Sequence, residues 1–174
     1  MKGKFASLVI AVMLAVMAPS VSSQTAQRGG ESADAGGAAA KRTLDRGRYM
    51  LTVGSCNDCH TAGFGPRDGN VPEQEWLLGS GSLGFNGPWG TTYAPNLRLL
   101  LANMSENHWV TYAKALKTRP PMPWFNLNKW SDSDLRAFYQ YVKSLGAQGT
   151  SAQAYLPPAQ APKPPYIQWP APPK

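Results

Sequence analysis

Two thiols and an imidazole fall within five residues of one another, in Cys56-Asn57-Asp58-Cys59-His60. Two intervening residues let one tight helical turn carry both sulfurs along a single edge, while the next residue projects its ring beside them. C-x-x-C-H is the attachment signature of a c-type haem: the thiols add across the haem vinyl groups, and the adjacent imidazole becomes an axial iron ligand. With only 2 Cys and 2 His in 174 residues, such a run arises by chance in about 3 of 10,000 chains. One covalent haem c, held by Cys56 and Cys59 with His60 on the iron, is the expected cofactor. A haemless C-x-x-C redox or metal protein is the competing chemistry, and the position of His60 directly after Cys59 counts against it.

A second axial ligand is expected from Arg119-Pro120-Pro121-Met122-Pro123-Trp124. Three prolines around one methionine stiffen the backbone and remove local amide donors, so the thioether is presented from a loop of low entropy. Met122 as core filler, with the sixth iron position open, is the alternative. Met104 and Met50 are the other candidate thioethers, and helix packing accounts for both. His108, the only other histidine, could make a bis-His haem, but it sits at the third position of a helix and off its apolar stripe, which suits a solvated or capping role.

These motifs resemble the class I cytochrome c family, and more closely the cytochrome c-like domains found beside bacterial periplasmic dehydrogenases. The likeness rests on Cys56 to His60, on Gly87-Pro88-Trp89-Gly90-Thr91-Thr92-Tyr93-Ala94-Pro95-Asn96-Leu97, on the Met122 loop, and on Asp134-Leu135-Arg136-Ala137. It implies a small all-α domain wrapped around one covalent haem, with extended N- and C-terminal segments. It also implies that the carbonyl of Pro66 accepts the proton of the His60 ring, although a plain turn proline is an equal reading. Gly47 resembles the point where the family's first and last helices cross.

The elements that must position these groups are legible in part. Leu44, Gly47 and Leu51 share one helical face, with Tyr49, Met50 and Val53 alongside and Thr43 as the expected N-cap. A short helix is expected at Glu73–Leu78. The rest of 71–103 reads as a long glycine-rich loop, and long loops in compact domains usually serve function. Within it Trp89, Tyr93 and Asn96 are candidate haem-propionate contacts, each with a polar group and apolar cover, against the bland reading of ordinary core. Ser105 caps a helix whose stripe is Trp109, Tyr112, Ala113 and Leu116, with Met104 and Trp109 as its staple. Ser131 with Asp134 opens a last helix with apolar face Leu135, Phe138, Val142 and Leu145, closed by Gly146.

Lys2 and Lys4 followed by the apolar run Phe5–Ala18 and small residues to Ser23 read as a signal peptide, 1–23, cleaved after Ser23, with an uncleaved anchor as the alternative. Residues 24–41 read as a disordered linker, 42–146 as the cytochrome c domain, and 147–174 as a Pro/Ala-rich tail that packs on the domain or on a partner. Export suits haem attachment, and a disulfide framework is excluded because the only two cysteines are the motif's own. The formal charge of +7 is spread without a Lys/Arg run. That favours acidic protein partners over nucleic acid, for which no motif is present.

The expected function follows from the site. A periplasmic mono-haem c-type cytochrome carries single electrons between redox partner proteins, a dehydrogenase, an oxidase or another cytochrome, without stable membrane insertion once the leader is removed. It would dock by a haem edge near the cysteines, flanked by some of Arg67, Lys114, Lys117, Arg119 and Lys129. The alternative is a haem protein with an open sixth site acting on peroxide or a small gas. The resemblance narrows donor and acceptor to respiratory or dehydrogenase proteins, and no further.

Overall fold

The computed structural model describes residues 24–171, in which the elements are α1 (Gln24–Val53), α2 (Cys56–His60), β1 (Gly84–Gly87), β2 (Gly90–Thr92), α3 (Leu97–Ala102), α4 (Glu106–Ala115), α5 (Trp124–Leu127), α6 (Asp132–Ser144) and β3 (Tyr166–Gln168). The leader expected at 1–23 lies outside them. The chain divides at Gly37/Ala38 into two units, and everything from Cys56 onward belongs to the second.

Helix α6 forms because its sequence punctuates it at both ends. Ser131 Oγ accepts the Asp134 amide at 3.1 Å, and Gly146 beyond the last turn adopts φ +76°, a conformation that favours glycine. Leu135, Phe138 and Val142 are at most 2% exposed, each contributing about 1.5–3 kcal/mol by burial. Helix α4 is opened by Ser105, whose Oγ accepts the His108 amide at 3.2 Å. It lies against α6, where Trp109 stacks on Phe138 at 5.4 Å and donates its indole N–H to Leu135 O at 2.9 Å. His108 is exposed, so its role at this helix end is the capped amide. Met104 packs at the edge of the core and Met50 within it.

Helix α1 approaches α6 through Gly47, and Arg46 pairs with Asp134 at 2.7 Å. Its start departs from expectation. Residues 24–41, expected as a tether, are helical, and Thr43 lies inside the helix, donating its hydroxyl to Ala39 O at 3.1 Å, instead of capping it. Ala35 and Ala38–Ala40 are strong helix formers, and Lys41 pairs with Asp45 one turn on, which supports helix over the exposed residues 35–42 without burial. Glu73–Leu78 forms only a 3-10 turn over Glu73–Glu75.

The chain is mostly helical, but not all-α as expected. A three-stranded sheet of order β2-β1-β3 pairs β1 with β2 antiparallel and with β3 parallel. Strands this short carry no alternation to read, and β3 lies in the proline-rich tail, about 80 residues from its partner. The tail packs on its own domain. Leu156 exchanges backbone hydrogen bonds with Thr91 (2.8 and 3.0 Å), the Trp169 amide reaches Asn86 O at 2.8 Å, and the Tyr155 hydroxyl reaches Trp89 O at 2.7 Å. Arg98 closes the structure from inside. Buried at 3% exposure, it donates to the carbonyls of Glu73, Gln74, Trp76 and Leu145 and to Gln148 Oε1. Among the described residues no helix is long and apolar enough to cross a membrane.

Candidate functional site

The C-x-x-C-H run forms α2, separated from α1 by a sharp reversal. Gly54 follows the last residue of α1, and a Cβ there would stand 2.6 Å from the Trp130 ring; Ser55 then takes a left-handed conformation, φ 53°, so the chain turns at once into the five-residue helix. Its inward side is fixed by a buried relay. Thr61 Oγ1 donates to Asn57 Oδ1 at 2.7 Å and accepts the Leu77 amide at 2.8 Å, with Asn57 and Thr61 each 3% exposed. Thr61→Val is isosteric but leaves both partners buried without a mate, so it should lower unfolding stability by about 2 kcal/mol. Urea unfolding of the purified protein measures this.

The 77–80 segment then holds the opposite loop in place. The Gly79 amide donates to His60 O (2.8 Å), Ser80 N to Ala94 O (3.1 Å) and Leu97 N to Leu77 O (2.9 Å). Gly79 has φ +95°, and a Cβ would meet Ala94 O at 3.0 Å, so this closeness depends on glycine. The result is that His60 Nδ1 lies 2.8 Å from the carbonyl of Pro95. A carbonyl only accepts, so Nδ1 carries the proton and Nε2 keeps its lone pair. Burial lowers the pKa of His60, with the Pro95 bond acting the other way; the ring is therefore neutral at neutral pH, the form that binds a metal.

Pro66 does not have the role expected of it. It is exposed in a 3-10 turn, Gly65–Arg67, while Pro95 supplies the carbonyl. The loop after His60 turns outward, tied down by Arg67 to Glu75 and to the carbonyls of Ala62 and Gly63. Only the tertiary clamp at 77–80 brings the distant Pro95 to the ring, and no local signal at Pro95 announces it.

A mainly apolar cavity of about 520 Å³ opens beside α2, lined by Cys56, Cys59, His60 and Met122 together, with Tyr93, Phe85, Trp109, Leu116 and Trp130 among its walls. That volume is within the range of roughly 300–1,000 Å³ typical of small-molecule and cofactor pockets. The expected ligands therefore share one space, with a neutral imidazole and a thioether available to it and both sulfurs on its wall, which fits a covalent haem. His108, Met50 and Met104 do not line it.

Of the three candidate propionate contacts, Tyr93 alone lines the cavity. Trp89 packs against Trp169 with ring centroids 6.2 Å apart and the planes tilted by 58°, and its buried indole N–H is unpartnered among the described residues. Asn96 is the N-cap of α3, accepting the Leu99 amide at 3.1 Å, and it donates to Gln148 O at 2.7 Å. Both tie the hairpin and loop to the tail, a requirement invisible until the tail's position is known. Of the five expected docking cations, Arg119 lines the cavity, Arg67 pairs with Glu75 and Lys114 with Asp132.

No family model, curated protein or solved structure matches the chain.

The thiols themselves argue against dithiol exchange. Burial pushes Cys56 up to about 12 and raises Cys59 as well, with Asp58 adding to both, whereas a reactive redox cysteine needs a depressed value. Among the described residues no three His, Cys, Asp or Glu side chains converge to hold a bare ion.

Proposed function

We propose that this protein is a mono-haem c-type cytochrome that passes single electrons between partner proteins by outer-sphere transfer. One observation carries the proposal: Cys56, Cys59, His60 and Met122, drawn from two motifs 62 positions apart, line the same apolar cavity. A haem held there would supply a one-electron Fe(II)/Fe(III) couple. Cys56 and Cys59 tether it, His60 offers Nε2 from a ring fixed by the Pro95 carbonyl, and Met122 offers its thioether from the proline-framed loop. Phe85, Trp109, Leu116 and Trp130 exclude water, and with the thioether this favours the reduced state. Export through the leader accompanies this reading, since haem is attached outside the cytoplasm.

The test is the absorption spectrum of the full chain produced with haem-attachment machinery. A reduced low-spin c-type spectrum with a sulfur-to-iron band in the oxidised form is expected. Met122→Ala should remove that band and lower the potential. An unchanged spectrum would take Met122 off the iron, a high-spin wild-type spectrum that shifts with carbon monoxide would favour an open site for peroxide or a gas, and colourless protein would sink the assignment.

A further inference from the structure

The cavity wall carries one charge of each sign, and the axial ligands account for neither. Of its 25 lining residues, the only ones with a formal charge at neutral pH are Asp58 and Arg119, so Arg119 is its one cation among the described residues. Arg119 makes no ion pair among the described residues. It is nevertheless held: its guanidinium carbon lies 3.7 Å from the centre of the Tyr155 ring. Tyr155 belongs to the C-terminal tail and is itself fixed, through its hydroxyl to Trp89 O at 2.7 Å and through the adjacent Leu156 to Thr91. Gly90 allows that approach, because a Cβ there would stand 2.2 Å from Leu156 O and 3.0 Å from the Tyr155 ring.

A guanidinium fixed over an aromatic face keeps its in-plane N–H groups free to donate, and it is suited to a carboxylate. An exposed arginine with no acidic partner among the described residues, at the wall of an apolar cavity and three residues from Met122, therefore fits an anionic group carried by the occupant. We propose that Arg119 is the counter-ion for a carboxylate of the bound cofactor. On the same proposal, the C-terminal tail acts through Tyr155 as a positioning element that raises the reduction potential. This rests on the haem assignment above and extends it from the ligands to the outer wall. The sign follows from electrostatics: a cation near the cofactor disfavours the ferric state, which carries the extra positive charge.

The experiment uses the full holo-chain and three variants, Arg119→Gln, Tyr155→Leu and Tyr155→Phe, with covalent haem content, spectrum and reduction potential recorded for each. Arg119→Gln should keep the haem and its low-spin spectrum, while its reduced-to-oxidised ratio at a fixed ambient potential falls about three- to tenfold. Tyr155→Leu should shift the ratio in the same direction by less. Tyr155→Phe, which keeps the ring and loses only the hydroxyl, should stay near wild type. Arg119→Gln tests the charge even where Tyr155→Leu fails to fold. An Arg119→Gln variant with full haem and an unmoved potential overturns the inference and leaves the cytochrome assignment standing. A variant that alters only the salt dependence of electron exchange with an acidic partner also overturns it, returning Arg119 to a docking role. A wild-type chain without haem overturns the assignment itself.

Discussion

A chain carrying Cys56→Ala and Cys59→Ala is expected to run without bound haem on a denaturing gel and to lose most of its cooperative unfolding transition. The first effect is chemical, because no other cysteine exists to form a thioether. The second is energetic. The cavity of about 520 Å³ is bounded by α2, the 92–97 loop, α4 and the Met122 loop, so these elements meet across this space. Unfilled cavity volume costs about 24 cal/mol per Å³. If only a third of this space stayed dry, the cost would be about 4 kcal/mol, a large share of the roughly 5–15 kcal/mol that stabilises an ordinary domain. Gel pigment and circular dichroism melting check the two parts separately. Pigment retained after denaturation would contradict attachment through these sulfurs, and an unaltered melt would show that the walls hold without their filling.

Gly47→Ala should destabilise the protein by about 3 kcal/mol, opposite in sign to what helix propensity alone gives. In an exposed helix interior the change would gain about 1 kcal/mol. Here the new Cβ would sit 2.1 Å from Ala137 O and 2.7 Å from both Ala137 C and Tyr141 Cβ. These atoms belong to α6's backbone or lie one bond from it, so no flexible side chain can yield, and overpacking of this kind costs about 1–3 kcal/mol or more. Urea unfolding of the purified protein decides between the two: a raised midpoint would mean that the α1–α6 contact is looser than the structure has it.

Gly47 also shows what a sequence can reveal. A glycine inside an otherwise good helical pattern is a local cost that needs a close neighbour to explain it, and the close neighbour is there. The same holds for Ser105, Ser131 and Gly146, whose roles depend on residues three or four positions away. Cys56, Cys59, His60 and Met122, which line one cavity, were singled out for a similar reason, since spacing or proline framing marks each motif within its own segment. What was not legible depends on distant chain. Pro95 reaches His60 only because residues 77–80 clamp the two loop segments together, so the carry-over to Pro66 failed. Trp89 and Asn96 have the right chemistry for a cofactor contact, but the tail claims them first. The tail's composition left open whether it packs on the domain or on a partner, and its hydrogen bonds come from register with β1, which no periodicity within Tyr166–Gln168 encodes. The helical start of α1 was missed for a different reason: a lack of large apolar residues does not exclude helix, because alanine-rich chain such as the exposed residues 35–40 has high helix propensity of its own.

Arg98 remains as the residue with the widest reach. One planar side chain answers carbonyls from the Glu73–Trp76 turn and from the end of the final helix, along with the amide oxygen of Gln148 at the root of the tail. Peeling any one of these segments away would strand a charge in the interior, so none can fray alone. The protein's two most loop-like regions are thus bound to the fate of its best-packed helix, and they open together or not at all.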